Sequence, residues 1–206
     1  MRKYIIHILI VSFVFISMSV THSAEEPHIT LRSSYKDLTV SQIQSMSNIS
    51  IRKKVDWGFV GHSTISNSYN LRSTSGDKVV VDSATGLMWH QNGFSEKSMR
   101  YGSNINITMQ WDKAKEWVRN LNSRGYAGYH DWRLPTVEEA ASLLESSKSN
   151  GRYIDPVFSK KQEWIWTGDR KTGSKHAWEV NFRFGHVTYN STLNDFSCVR
   201  PVRSMK

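Results

Sequence analysis

His130, Asp131, Arg133, Glu138 and Glu139 fall within one stretch, GYHDWRLPTVEEAASLL, residues 128–144. A His beside an Asp invites a proton relay, and adjacent carboxylates invite general acid–base work. The spacing argues against both. Neighbours in an extended segment point to opposite sides, so His130 and Asp131 form no natural relay. There is no Gly-x-Ser-x-Gly turn to present a nucleophile. No pair of histidines has helical or hairpin spacing next to an acid, so the sequence offers no zinc site. His176 and His186 flank an expected hairpin and could approach each other, but they read as exposed loop residues. Cys198 is the single cysteine, so the chain closes no internal disulfide and builds no Cys-rich metal site. In FSCVR it alternates with Phe196, which reads as a buried strand position with a core-packing role for the thiol.

The remaining chemistry is anion binding. TGDRKTGSKH (167–176) has two glycines, no large apolar residue and the cations Arg170, Lys171 and Lys175, with Arg183 and His186 on the turn that follows. It reads as an exposed, mobile loop. Arg offers paired N–H donors to a sulfate or carboxylate, and Lys adds a mobile point charge. The whole chain carries 27 basic and 18 acidic side chains. A modest excess of this kind attracts polyanions and also serves plain solubility. No dense basic block is present, which argues against nucleic acid as the partner.

The elements that hold these residues follow from periodicity. WDKAKEWVRNLNSRG (111–125) places Trp111, Ala114, Val118 and Leu121 on one helical face, with Gly125 as the stop. A second helix starts at Thr136, with Val137, Ala140, Ala141 and Leu144 on one face. Glu139 stands three residues after Thr136, the spacing of a capping box. Glu138 and Glu139 therefore have a structural job at the positive end of the helix, and Pro135 fixes the direction of approach. KVVVD (78–82) and LMW (87–89) read as strands joined by a turn at DSATG. EWIWTGD (163–169), AWEVNF (177–182) and HVTYN read as an antiparallel meander. In AWEVNF, Trp178, Val180 and Phe182 are expected inward, and Glu179, Asn181 and Arg183 outward. Two helices followed by short strands give an α+β class.

The N-terminus has a different character. Arg2 and Lys3 precede an apolar stretch from Tyr4 to Met18, then small residues and a polar turn. This is the order of a secretory signal peptide, residues 1–23, with cleavage expected near Ser23 or Ala24. The apolar stretch is short for a membrane span, which needs about 20 residues; an uncleaved anchor would be the only membrane link. Without Arg2 and Lys3 there remain 25 basic and 18 acidic residues, a net charge of +7. Residues 24–77 are Ser-rich, with a short helix expected in TVSQIQSM (39–46). The rest reads as an irregular extension packed on the domain of residues 78–206.

DSATGLMW, the helix WDKAKEWVRNLN, GYHDWRLPTVEEAASLL, the strands around WTGD and AWEVNF, and the terminal CVRPVR occur in this order. Together, over about Val79 to Arg203, they resemble the C-terminal domain family named after the Legionella collagen-like adhesin Lcl, which is found in exported bacterial proteins. That family is similar in turn to the formylglycine-generating, sulfatase-modifying domains. The resemblance implies a C-type-lectin-like fold, with two helices on short twisted antiparallel sheets and long loops. It implies that Trp132 and Leu134 anchor a strand-to-helix corner, that Pro135, Thr136 and Glu139 build the helix start, and that Arg133 pairs with an acid or with backbone carbonyls. The formylglycine-generating relatives use two cysteines, which this chain lacks, so their oxidase activity is not carried over. C-type lectins often hold calcium through Glu-Pro-Asn and Trp-Asn-Asp segments. Here WEVNF offers Glu179 and Asn181 on one face without the Pro, so calcium-dependent sugar binding stays open and unsupported. The expectation is an exported, periplasmic or cell-surface, non-enzymatic and adhesin-like binding module for acidic or sulfated glycan or another envelope component, with no cofactor. Family relatives can be trimeric, which leaves an oligomer open. A protein-modifying enzyme and a structural subunit bound to another envelope protein are the alternatives.

Overall fold

The turn at DSATG folds as its composition requires, with Gly86 at φ 65°. It joins β5 (Asp77–Asp82) to β6 (Leu87–His90), paired antiparallel with Val80 opposite Trp89. The structure, a computed structural model, describes residues 29–94 and 108–205. The expected signal peptide lies outside the described residues.

Two sheets organise the chain. The four-stranded sheet runs β10–β6–β5–β4, with β4 at Tyr69–Thr74 and β10 at Val202–Ser204. The six-stranded sheet runs β1–β7–β8–β9–β3–β2. Its members are β1 (Asp37–Leu38), β2 (Ile49–Val55), β3 (Gly58–Ser63), β7 (Trp164–Lys171), β8 (His176–Asn181) and β9 (His186–Ser191). Every pairing is antiparallel except β1 with β7. The helices are α1 (Val40–Ile43), α2 (Trp111–Ser123) and α3 (Val137–Ala141). This is a mixed α+β architecture with sheet predominant.

Helix α2 buries Trp111, Ala114, Val118 and Leu121, the stripe read from its period, and Gly125 ends it at φ 65°. Helix α3 is shorter than its apolar spacing suggested. It stops at Ala141, and Leu143 and Leu144 are buried from the turn beyond it. Trp89, Phe158, Ile165, Trp178 and Val180 belong to one apolar core. Trp111, Val118, Trp132 and Trp166 belong to a second.

The stretch 49–74 is not irregular, because it supplies β2, β3 and β4 to both sheets. Glu179 and Asn181 do not face solvent. Strand β8 lies inside its sheet with both faces covered, so alternation sorts its residues between two buried environments and both side chains are fully buried. Cys198 is buried beside Ile165, the core position expected of it, while Phe196 is 58 % exposed.

Burial pushes the Glu179 carboxyl up to about 7, helped by Asp195 and opposed by hydrogen bonds from Ser197 and Asn190. The folded protein therefore holds this proton above the unfolded value of 4.5. The resulting stability is fully present below about pH 4.5 and is lost as pH rises through 7. Between pH 5 and 8 the wild type should lose ~2–3 kcal/mol relative to Glu179→Gln. Urea midpoints across that range measure this, and parallel profiles for the two proteins would contradict it.

Candidate functional site

The WRLPT corner is built as a closed network. Thr136 caps α3: its Oγ1 accepts from the Glu139 N–H at 3.2 Å, and Glu139 Oε2 accepts from the Thr136 N–H at 2.8 Å. Arg133 reaches across with two 2.6 Å bonds to the Glu139 carboxylate. Its backbone pairs with Val202 in both directions at 2.9 Å. Trp132 is buried and donates from Nε1 to the Tyr126 carbonyl. Leu134 is buried, with its carbonyl accepting from Tyr35 Oη, and the Pro135 carbonyl accepts from the Gly168 N–H.

Asp169 completes the corner from β7. Its buried carboxylate accepts from both terminal nitrogens of Arg32, from the Lys36 N–H and from the Val137 N–H at the start of α3. Arg32 also reaches Glu138. These acids are consumed in holding the chain together, which is the structural reading of the motif. His130 and Asp131 part ways. His130 Nδ1 lies 2.6 Å from the Asn122 carbonyl oxygen, and Asp131 accepts from Arg203.

Other chemical candidates are also quiet. The Cys198 thiol is buried and its pKa is pushed up to about 11, so it stays protonated at neutral pH. Among the described residues no group of three His, Cys, Asp or Glu side chains could hold a metal ion. Glu179 accepts from Ser197 and Asn190, and Asn181 Oδ1 accepts from the N–H groups of Arg183 and Phe184. No described helix is long and apolar enough to cross a membrane.

The cationic residues fall into two groups. Arg170, Lys171 and Lys175 lie at the β7–β8 hairpin, while Arg183 and His186 lie at the β8–β9 turn. The register pairs His176 with Ser191 and Asn181 with His186, so the two groups sit at opposite ends of β8. At ~3.3 Å per residue they are about 17 Å apart. The five residues therefore do not converge, and His176 stays away from His186. The 167–176 stretch is also not a free loop. Thr167 and Asp169 are buried in β7, and the Arg170 and Thr172 N–H groups donate to the carbonyls of Lys36 and Leu38. Only residues 172–175 form the turn. Lys171 Nζ lies 5.0 Å from the Tyr189 ring centre, and Arg170 Cζ 6.0 Å from Trp111.

The β8–β9 end gathers cations that periodicity did not single out. Strand β2 carries a register shift at Arg52, between Ile51 and Lys53. A bulge of this kind redirects a side chain. Arg52 Cζ lies 5.0 Å from the Tyr153 ring centre, and Lys148 Nζ lies 5.2 Å from the same ring. Arg52 also lies against the turn, since a Cβ placed on Gly185 would meet its guanidinium at 3.0 Å. Arg183 is 55 % exposed, stacks over Phe184 and lies 3.6 Å from Glu163, which Arg152 also binds. His186 packs beside Trp57 and Phe184. Partial burial, with Arg52 nearby, lowers its pKa, so it adds no charge at neutral pH.

No curated protein matches the sequence significantly. A family model, the Lcl C-terminal domain, matches residues 78–203. That match runs from β5 through β10, spans α2, the WRLPT corner and the β7–β8–β9 meander, and covers more than half of the chain. The chain belongs to the Lcl C-terminal domain family.

Proposed function

We propose that the protein is an exported, non-enzymatic, adhesin-like binding domain of C-type-lectin-like architecture that takes acidic or sulfated glycan on its β8–β9 end. The observation that carries this is the meeting of Arg52 and Lys148 on one tyrosine ring, beside Arg183 on the adjoining turn. These cations come from three separate segments and are exposed. Cations held over aromatic rings keep their charge available while the side chain is positioned. Guanidinium forks suit sulfate and carboxylate groups. Trp57 and Phe184 stand next to them as flat surfaces for a sugar ring. The n-region and apolar stretch at the N-terminus support export. The consumed acids of the WRLPT corner and the buried thiol support a binding role over catalysis.

Heparin-column retention tests this. Arg52→Ala/Lys148→Ala/Arg183→Ala should elute at clearly lower salt than wild type. Arg170→Ala/Lys171→Ala/Lys175→Ala should shift less, because that hairpin lies at the far end of β8. The reverse order would move the site to the β7–β8 hairpin. Failure of wild type to bind at low salt would remove the polyanion reading altogether.

A further inference from the structure

A second site lies on the other sheet, away from the cationic end. Between α2 and the β5–β6 hairpin there is a cavity of about 480 Å³. That is within the ~300–1,000 Å³ of small-molecule sites. Its floor is His90, 7 % exposed, stacked on Tyr126 with ring centres 4.1 Å apart. Its wall is the half-buried indole of Trp117, braced edge-on by Phe94.

The polar groups around this floor are mostly donors. His90 Nδ1 accepts from the Gly93 N–H at 2.9 Å, which places the ring proton on Nε2. Among the described residues no acceptor meets that Nε2–H. Burial and the charges of Arg200 and Arg124 push the His90 pKa down to about 3, so the imidazole stays neutral and keeps this arrangement. Arg124 and Lys78 line the rim, and both are exposed. Among the described residues neither forms an ion pair. Tyr126 Oη is already spent on the backbone of Lys78, accepting from its N–H and donating to its carbonyl. Asp77 is held by the Ala127 N–H.

Among the described residues the pocket brings together two cations that form no ion pair, Arg124 holding only the Asn120 carbonyl through Nε, with one neutral ring donor that meets no acceptor and the face of Trp117. We propose that the pocket binds a small carboxylate carried on a six-membered ring, with Arg124 and Lys78 on the anion, His90 donating from Nε2, and the ring against Trp117. A planar carboxylate matches the guanidinium fork, and an aromatic wall takes either the apolar face of an acidic sugar or an aromatic acid. This site is independent of the polyanion face, so each can fail without the other.

Calorimetric titration of the mature protein tests it, using glucuronate and benzoate as ring carboxylates. Glucose and phenol serve as the neutral rings, and inorganic phosphate as the anion without a ring. Saturable binding of either carboxylate in the millimolar range or tighter is expected. Arg124→Gln should weaken it at least ~10-fold, and Lys78→Gln should weaken it less. Both side chains are exposed, so the variants should fold, and a thermal melt verifies this. Glucuronate alone would identify a sugar acid, and benzoate alone an aromatic acid. No saturable response to either carboxylate, equal binding of a neutral ring or of phosphate, or unchanged affinity in Arg124→Gln would overturn the proposal.

Discussion

Asp169→Ala destabilises the folded chain by about 3–5 kcal/mol. The carboxylate is fully buried and takes four hydrogen bonds: two from Arg32, one from the Lys36 N–H and one from the Val137 N–H. Truncation leaves the Arg32 guanidinium, whose side chain is 13 % exposed, without its principal acid. It also strips the first turn of α3 of an anion at its positive end. Asp169→Asn keeps the shape and part of the acceptor capacity and should cost about half as much. Urea unfolding measures both. A loss below about 1 kcal/mol for the Ala variant, the range of an exposed ion pair, would show that the network carries little.

Gly58→Ala should be of similar size, about 3–4 kcal/mol, through the backbone rather than charge. Gly58 opens β3 at φ 143°, and an added Cβ would lie 2.0 Å from the Val187 carbonyl oxygen on β9. Neither that conformation nor that distance tolerates a methyl group. The strain falls where β3 joins β9, and β2 reaches the rest of the sheet only through β3. The variant should therefore also loosen Arg52 from the β8–β9 end. Lower melting temperature together with earlier elution from heparin is the expected pair of results. An unchanged melting temperature would contradict the assigned packing.

These two positions mark what the sequence could and could not reveal. The Thr136–Glu139 capping box was legible because it is local: three residues set the spacing and the chemistry. The α2 stripe and the β5–β6 hairpin were legible for the same reason. Asp169 finds Arg32 across 137 positions, and no local pattern announces such a pair. Strand β2 was hidden because it reads ISIRKKV. Its exposed cations suit an edge strand, where charge discourages further pairing, and such a strand lacks the apolar alternation that periodicity detects. Alternation puts Glu179 outward because it presumes one wet face, which a strand covered on both sides does not have. The same limit scattered the candidate site. Neighbours along the chain, Lys171 and Arg183, are carried to opposite ends of β8, while Arg52 and Lys148 meet on Tyr153 from segments that share no motif.

The most direct measurement is the binding of the protein to a sulfated oligosaccharide and to its desulfated counterpart over a series of salt concentrations. Contact through several exposed cations predicts tight binding of the sulfated form at low salt. It also predicts a steep loss as ionic strength passes the point where the Debye length is ~8 Å, and little binding of the desulfated form at any salt. Equal affinity for the two forms, or affinity that does not change with salt, would contradict a polyanion-binding surface.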